Sequence, residues 1–576
     1  MENDSTFVAP EGVYTVTEDH KPPIVLPNQP PATYPTRVRS IVVRFPTAKQ
    51  GAAPFAQLLG NSKKDAKRAD NPPPSSREDG VSLSSSDTDD DPLPPDAVTG
   101  SPNIPAHEAR HLFSPGRSGS KKKHASRPKH NMRTTSSTFV TRMQGAEGLT
   151  KALQSKQGDA TFLFYNHSKT FVWVEAGAKS KEPLARISFS AYPTCHDVNA
   201  FTASPEHLDI VIGFNTGDLV WLDPITSRYA RLNKGGFITN SPCTAVRWVP
   251  SSPTLFLVSH ADGTIIVYDK EREDGSFSPQ DPARRVSPPP SDGSSSSGGS
   301  WDPMGDIFVS MPPWHPDKAA KNPVSHWRVS LRAVVDFVFA PDVKYVAVVA
   351  EDGCLRIIDA ISEQLVDCYA SYFGALTSVA WSPDGRFIIT GGQDDLLTIF
   401  SPWEQRVIAR CQGHSSFVSA VAFDELRCDG RTYRFGSVGE DNKLILWDFS
   451  SGALHRPKFQ AAHHQRMSMS STVSLGLRRD KSALYLPSLG STGVDGSPSP
   501  RYHPAPARND VAVVQPVLVK HLEGDLLGHI SFIPRCILTS TRSGHIRLWV
   551  RPLALRPRHA RQGHMRAVTT DVEDLL

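Results

Sequence analysis

An all-β fold, a seven-bladed β-propeller, is predicted by a recurring strand ending, by the tight turn that precedes it and by its spacing. Seven times a β-type run closes on an apolar or aromatic residue, usually followed by Asp, shortly after an Asp/Gly turn. The seven endings are Trp173-Val174, Leu222-Asp223, Tyr268-Asp269, Ile358-Asp359, Phe400-Ser401, Trp447-Asp448 and Trp549-Val550. Repeats of about 40 to 45 residues that cannot each bury their own apolar face are typical of propeller blades.

The spacing of the endings supports seven blades with two long insertions. The intervals from Asp223 to Asp269, from Asp359 to Ser401 and from Ser401 to Asp448 are each close to one blade length. The intervals after Asp269 and after Asp448 are about twice that length. Each contains a Ser/Pro/Gly/His-rich stretch that we expect to be a disordered loop outside the sheets.

Within a unit, the residues predict an antiparallel meander. In the fifth unit, 377–381 gives an inner strand, 382–385 (Ser-Pro-Asp-Gly) a turn and 387–392 a second strand, and 396–400 follows after a turn as the third. The fourth unit repeats this order with the same punctuation, ending at Ile358-Asp359. The period of two and the enrichment in β-branched residues agree on strands.

Closure of the ring requires a strand from the other end of the chain, because an open ring leaves two unpaired sheet edges. The alternating segment 37–45 is the first candidate to complete the last blade, and 12–17 is the alternative. Either choice predicts that the N-terminus reaches back to the strands at 537–540 and 545–549.

Composition divides the rest of the chain. We expect 1–46 to supply closing strands, 47–160 to be a mostly disordered linker, and 161–551 to be the propeller, with disordered insertions at about 274–320 and 457–506. A C-terminal tail, 552–576, completes the chain. The linker is rich in Pro, Ser and charged residues, a composition that cannot bury enough apolar surface to fold.

Charge and cysteine content exclude several classes of protein. The net charge of +4, from 63 basic and 59 acidic residues, gives no concentrated basic face for nucleic acid. No apolar run is long enough for a membrane span, and the start of the chain lacks a signal-peptide core. The seven cysteines form no CxxC pair, which argues against a zinc site and a disulfide framework.

We expect an intracellular protein, cytoplasmic or nuclear, without a metal, a cofactor or a small-molecule substrate. The basic run 121–130 is either a nuclear import signal or a solvated linker segment.

The sixth unit supplies side chains for a buried hydrogen-bond network. His414 precedes the inner strand, Ser437 lies on the second strand, Asp441 in the tight turn and Trp447 on the third strand. A Ser, His and Asp set also suggests a hydrolase. However, no GxSxG-type elbow is present, so we interpret the four residues as structural and predict no catalytic residue.

Several stretches are more specific than generic WD repeats. They include 193–199 (Pro-Thr-Cys-His-Asp-Val-Asn), 371–374 (Ser-Tyr-Phe-Gly), 391–395 (Gly-Gly-Gln-Asp-Asp) and 432–439 (Thr-Tyr-Arg-Phe-Gly-Ser-Val-Gly). With these blocks the chain resembles the animal WD-repeat proteins of the dystrophia-myotonica type and their fungal relatives in carbon catabolite repression. The resemblance covers about residues 161–551 without the inserted loops, and extends to Glu11-Gly12-Val13-Tyr14.

The resemblance implies a partner. Members of that family bind and activate ubiquitin-specific proteases, and two aromatic residues on loops before successive inner strands contact the protease. By matching of the motifs, these positions fall on Phe373 and Phe417. By the same resemblance, Trp occupies the second position in the animal relatives. Phe417 therefore keeps an apolar anchor there but lacks the indole N–H donor.

The expected function is therefore that of a non-catalytic partner that binds, stabilises and activates a ubiquitin-specific protease in carbon catabolite repression. The alternative is a general scaffold or a substrate receptor of a ubiquitin ligase, because a propeller serves either purpose. From the residues alone, the favoured interpretation of Phe373 and Phe417 is as core side chains between blades, and only the resemblance favours contact with a partner.

Overall fold

The chain forms seven mainly antiparallel sheets, each a blade of one β-propeller, which confirms the predicted fold class. The structure, a computed structural model, describes residues 5–21, 34–46, 130–131, 137–178, 182–279, 307–312, 319–450, 452 and 501–552. Most of the predicted linker and most of both insertions, the basic run at 121–129 and the tail from residue 553 lie outside the described residues.

The strands are numbered in chain order. The first nine are β1 Thr6–Ala9, β2 Gly12–His20, β3 Val38–Phe45, β4 His130–Asn131, β5 Val140–Gly145, β6 Gly158–His167, β7 Thr170–Glu175, β8 Ala185–Phe189 and β9 Pro193–Val198. The next eight are β10 Ile210–Phe214, β11 Leu219–Asp223, β12 Arg228–Leu232, β13 Cys243–Trp248, β14 Leu255–His260, β15 Thr264–Asp269, β16 Phe308–Ser310 and β17 Ser325–Arg328.

The second half of the chain supplies seventeen further strands. They are β18 Val334–Phe339, β19 Tyr345–Ala350, β20 Cys354–Asp359, β21 Gln364–Ala370, β22 Leu376–Trp381, β23 Ile388–Gly392, β24 Leu396–Ser401, β25 Arg406–Gln412, β26 Val418–Phe423, β27 Thr432–Gly439, β28 Lys443–Ser450, β29 Arg501–His503, β30 Ala512–Val514, β31 Pro516–His521, β32 Leu527–Ile533, β33 Cys536–Thr541 and β34 Ile546–Val550. One short helix, α1 Leu149–Gln154, and two 3-10 turns, Glu425–Arg427 and Arg508–Asp510, complete the described elements.

Each blade is a sheet that runs outward from an inner strand beside the ring axis. From inside to outside, the blades are β3-β6-β7-β8-β5, β9-β10-β11-β12-β4, β13-β14-β15-β17-β16, β18-β19-β20-β21-β29, β22-β23-β24-β25-β30, β26-β27-β28-β31 and β32-β33-β34-β2-β1. All seven predicted strand endings lie in the third strand of a blade.

The first candidate for ring closure was wrong. Val38–Phe45 pairs along its whole length with β6 and forms the inner strand of the first blade. Gly12–His20 instead pairs with β34, from Thr15 opposite Val550 to His20 opposite Ile546, and so completes the last blade. Both segments alternate apolar and polar residues, so the pattern alone does not distinguish an inner strand from an outer one.

The expectation that the insertions stay outside the sheets was also wrong in part. Phe308–Ser310 pairs with β17 at the outer edge of the third blade, and Arg501–His503 pairs in parallel with β21 at the edge of the fourth. In the predicted linker, His130–Asn131 pairs with β12 and β5 pairs with β8. The outer edge of a blade exposes unpaired backbone groups, so even a two- or three-residue segment can add to it.

The hydrophobic core lies between neighbouring blades. Trp173 of the first blade shares one buried cluster with Ile210 of the second, and Trp447 of the sixth shares another with Ile399 of the fifth. Full burial of each large apolar side chain contributes about 1.5–3 kcal/mol. Because these clusters span two blades, that stabilisation is available only when neighbouring blades pack together. All seven cysteines are free thiols, six of them buried.

Candidate functional site

Two exposed aromatic side chains mark one face of the ring. Phe373 lies in the loop from β21 to β22 and Phe417 in the loop from β25 to β26, so both precede inner strands of adjacent blades. The exposed fraction is 71% for Phe373 and 41% for Phe417. We call the face that carries all such loops into inner strands the upper face. Neither ring packs into the core between blades.

The backbone of the Phe373 loop is fixed by its neighbours. Ser371 Oγ donates to the carbonyl of Gly374 at 2.8 Å, and the backbone N–H of Ala375 donates to Oε1 of Gln393 at 3.1 Å. Gly374 has a φ of 67°, a conformation that favours glycine. A Cβ on Gly353 would lie 2.6 Å from the carbonyl oxygen of Gly374, so the loop also sits too close for a larger residue there. Phe373 is therefore presented from an ordered loop.

Tyr372 extends this apolar surface. Its ring is half exposed and lies under the guanidinium of Arg410, 4.5 Å from the ring centroid. A cation–π contact of this kind holds an aromatic ring in place at the surface. The sequence did not single out Tyr372, although it is adjacent to Phe373 in the Ser-Tyr-Phe-Gly block.

The four residues of the predicted network come together behind the Phe417 loop. Nε1 of Trp447 donates to Oγ of Ser437 at 2.9 Å, and Oγ of Ser437 is 2.8 Å from Nε2 of His414. Nδ1 of His414 lies 3.0 Å from Oδ1 of Asp441. Because a carboxylate only accepts, Nδ1–H donates to Asp441, and Nε2 accepts the Ser437 proton. The hydrogen bonds thus run in one direction from the indole to the carboxylate.

Asp441 connects this network to the loop. Its Oδ2 accepts the backbone N–H of Ser415 at 2.8 Å, two residues before Phe417. Burial opposes ionisation of Asp441, but the hydrogen bonds from His414 and Ser415 outweigh it and lower the pKa of this carboxyl group. The charged carboxylate therefore holds the turn that presents Phe417.

The arrangement is not that of an accessible nucleophile. The Ser437 side chain is fully buried and its oxygen already accepts the indole N–H of Trp447. A substrate carbonyl has no path to this hydroxyl in the described structure, since Ser437 has no exposed surface.

A hydrogen bond between blades links the two aromatic loops. Oγ1 of Thr377, at the start of β22, donates to the carbonyl of Val418, the residue after Phe417. The carbonyl of Phe417 accepts the backbone N–H of Glu440 at 2.8 Å. The spacing between the two rings is therefore set by the backbone of two packed blades.

Other exposed apolar residues were missed by the sequence analysis. Phe237 and Leu331 lie on the upper face, before β13 and β18, whereas Phe201 and Trp403 lie on the opposite face. Exposure of one large apolar residue in a loop has no sequence signal of its own, because core and surface aromatics look alike in isolation.

A buried charged cluster on the second and third blades was also missed. Asp209 is fully buried and accepts from Lys270 at 2.7 Å and from Trp221 Nε1 at 2.6 Å. His207 bridges Asp209 and Asp223, with nitrogen to oxygen distances of 2.9 and 2.8 Å. Hydrogen bonds to Asp209 and Asp223 raise the pKa of His207 to about 9. Every partner named here is a protein side chain, so we interpret the cluster as structural. The contact of Asp209 with Lys270 joins the second blade to the third.

Groups of metal ligands and membrane-spanning helices are both absent from the described parts of the chain. In those ranges, no group of three or more His, Cys, Asp or Glu side chains is placed to hold a metal ion. None of the helices within them has the length and apolarity needed to cross a membrane.

The chain is similar to a known repeat family and to a known protein. The family model described as WD domain, G-beta repeat, matches residues 366–401, which span most of β21 and the three inner strands of the fifth blade. A protein of Schizosaccharomyces pombe, the UBP9-binding protein bun62, is 38% identical over 421 residues. The match covers 72% of this chain and 75% of the relative.

Proposed function

Because the chain belongs to the WD-repeat family that includes the UBP9-binding protein bun62, we propose that it binds a ubiquitin-specific protease, stabilises it and activates it. The relative is named for binding such a protease, and this is the class of partner that we propose here. In this proposal the chain itself carries out no bond-breaking chemistry.

The observation that carries the proposal is the exposed pair Phe373 and Phe417 on two fixed loops of the upper face. Aromatic side chains that enter a partner's pockets are frequent hot spots, each costing at least about 2 kcal/mol on truncation. Their loops are ordered before binding, so association need not order them, which favours affinity. Tyr372 widens the same contact surface.

Activation by such a partner requires differential contacts. A ring that touches the active arrangement of the protease better than the inactive one shifts the population towards the active state. A hundredfold shift needs about 2.7 kcal/mol of differential binding. Two aromatic anchors at about 2 kcal/mol each supply energy of that size if they engage only the active arrangement.

The non-catalytic part of the proposal is supported by the sixth blade. Its Ser, His and Asp set is committed to the structural chain from Trp447 to Asp441, with Ser437 buried. We assign these four residues to stability of the blade and to the position of the Phe417 loop.

A finer assignment within the family belongs to the same proposal. On the sequence blocks given above, we place the chain with the fungal catabolite-repression protein CreC. The protease complex would then act in carbon catabolite repression, in the cytoplasm, the nucleus or both. Loss of the chain from cells should in that case alter expression of genes repressed by a preferred carbon source.

The test is affinity purification of the full-length chain from its own cells, followed by mass spectrometry. Recovery of a ubiquitin-specific protease that is lost with Phe373→Ala plus Phe417→Ala supports the proposal. Recovery of ubiquitin-ligase subunits without a protease would instead support a substrate receptor. The variant Phe201→Ala, on the opposite face, is the matched control and should retain the protease.

A further inference from the structure

The inner strands of all seven blades enclose a cavity on the ring axis. Its volume is about 390 Å³, which lies in the range of pockets that hold small molecules, about 300–1,000 Å³. We call this cavity the central channel, and its arginine, histidine and carboxylate lining residues are Arg37, Arg39, His196, Arg247, Asp336, Glu425 and His529. They come from six of the blades, so only the closed ring brings them together.

Three guanidinium groups face the central channel, and among the described residues only Arg247 has a close ion-pair partner. Arg247 pairs with Asp336 at 2.7 Å. Arg39 is 3.6 Å from Oδ1 of Asp197, and the other oxygen of that carboxylate accepts the backbone N–H of Trp248 at 2.9 Å. The pairing of Arg39 is therefore loose.

Arg37 has no such partner. Its backbone N–H donates to Asn166, but among the described residues its guanidinium has neither a hydrogen-bond partner nor an ion pair. Glu425, the remaining carboxylate of the lining, is exposed at one end of the cavity. The carboxylate that acts on Arg37, Asp336, is already paired with Arg247. A partly buried cation without a partner of its own is unfavourable, so the site calls for an anion.

Two histidines also line the central channel. Nε2 of His196 donates to the backbone carbonyl of Phe164 at 3.0 Å, which leaves Nδ1 as a lone-pair acceptor. That Nδ1 is buried and has no hydrogen-bond partner in the described structure. Burial and the neighbouring Arg39 lower the pKa of His196 to about 3, so this ring is neutral near pH 7.

His529 lies among the same positive charges. Burial, followed by the charges of Arg39 and Arg37, lowers the pKa of His529 well below its ordinary value. The side chains nearest to this imidazole therefore act on it as an excess of positive charge.

We propose that the central channel binds a small phosphate-bearing anion between Arg37, Arg39 and Arg247. Guanidinium forks match the geometry of phosphate oxygens and bind them with paired, charge-assisted hydrogen bonds. A compact polyphosphate carries more negative charge than sulfate and presents more oxygens to the three guanidinium groups. The channel should therefore prefer such an anion over sulfate.

The test is isothermal titration calorimetry on the full-length chain in chloride buffer at constant ionic strength. The probes are inorganic phosphate, pyrophosphate, inositol hexakisphosphate and sulfate. We expect at least one phosphate-bearing probe to bind with one-to-one stoichiometry and at least tenfold more tightly than sulfate. The identity of the tightest-binding probe shows whether the site holds a single phosphate or a compact polyphosphate. Absence of binding by all three phosphate-bearing probes would overturn the proposal.

Two variants locate the binding site. Arg37→Gln should weaken binding of the best probe at least tenfold. Arg44→Gln should leave it unchanged, because Arg44 lies on β3, the strand that Arg37 directly precedes, with its side chain 86% exposed. Arg37→Gln should melt no lower than the wild type without anion, since it removes an unpaired charge. Equal affinities of Arg37→Gln and the wild type would place the anion elsewhere and contradict the proposal.

A thermal measurement on the wild type keeps the proposal testable if Arg37→Gln does not fold. A ligand that binds only the folded ring raises its melting temperature with concentration. We expect this rise with the best phosphate-bearing probe and a smaller one with sulfate at equal ionic strength. Equal shifts with both anions would indicate general salt stabilisation and would refute a site in the channel.

Discussion

Glu11 and Arg434 are separated by 423 residues in the chain, yet Nη1 of Arg434 donates to Oε1 of Glu11 at 2.6 Å. The hydroxyl of Tyr14 donates to the same oxygen, and the other side of Arg434 pairs with Asp448. Glu11 precedes β2 of the last blade, whereas Arg434 belongs to β27 of the sixth. Two contacts therefore stabilise the closed ring: the ion pair between Glu11 and Arg434 on neighbouring blades, and the pairing of β2 with β34.

Removal of this ion pair should destabilise the ring. We expect Glu11→Ala to lower the free energy of unfolding by about 3 kcal/mol, because it leaves the largely buried Arg434 with one partner fewer. Chemical denaturation monitored by tryptophan fluorescence measures the change. Glu404→Ala is the control, since Glu404 pairs with Arg406 at the surface and such pairs contribute about 0–1 kcal/mol. An equal, small effect of both substitutions would show that Glu11 does not fasten the ring.

The network of the sixth blade makes a second prediction. His414→Ala should lower the free energy of unfolding by about 2–4 kcal/mol, since it removes the acceptor of the buried Ser437 hydroxyl proton and one donor to the charged Asp441. The thermal melting temperature should fall accordingly. His521→Ala, an exposed position on β31, serves as the control. A His414→Ala protein that melts with the wild type would remove the structural role.

The upper face makes the third prediction. Phe373→Ala plus Phe417→Ala should weaken binding of the protease by at least a hundredfold, or about 2.7 kcal/mol, with an unchanged melting temperature. Surface plasmon resonance with the copurified protease measures the affinity. Phe237→Ala is a matched control, because Phe237 is also exposed on the upper face but precedes β13, on the third blade. Full binding by the double variant would show that the protease uses another surface.

The stability of the ring should depend on pH through His207. The folded-state pKa of about 9 lies above the ordinary value of 6.5, so the folded protein holds a proton that the unfolded chain releases between these values. The stabilisation is complete below pH 6.5 and is lost as the pH rises through 9. Because the side chain is 37% exposed, we expect about 1–2 kcal/mol after allowance for solvent screening.

His207→Gln isolates that contribution. The difference in unfolding free energy between the wild type and His207→Gln should be largest near pH 6 and should shrink above pH 9, as measured by urea denaturation across this range. His521→Gln, at an exposed position, is the matched control for the loss of an imidazole. A constant difference for His207→Gln would indicate that the imidazole is not charged between Asp209 and Asp223.

The number of blades and the third strand of each blade could be predicted from the sequence, because the strand endings repeat along the chain. It did not carry the roles of Val38–Phe45 and Gly12–His20, since both alternate and only long-range pairing decides which strand is inner. Short edge strands such as Phe308–Ser310 and Arg501–His503 are too brief to show a period. The arginines of the central channel come from separate blades, so no local motif could reveal them.

The same distinction holds for the upper face. The position of Phe373 and Phe417 before inner strands could be predicted from the repeat, but their exposure could not, because core and contact aromatics have the same sequence signature. Their exposed fractions of 71% and 41% come from the structure. The four residues of the network were foreseeable as a set because each occupies a fixed place within the blade.

The rate at which the copurified ubiquitin-specific protease cleaves a fluorogenic ubiquitin substrate, with and without the purified chain, tests the central claim most directly. We expect the chain to raise kcat/KM at least tenfold at saturation and to cleave nothing by itself, and the double variant Phe373→Ala plus Phe417→Ala to give no rise. A protease whose rate is unchanged by saturating chain, or a chain that cleaves the substrate alone, would contradict the account.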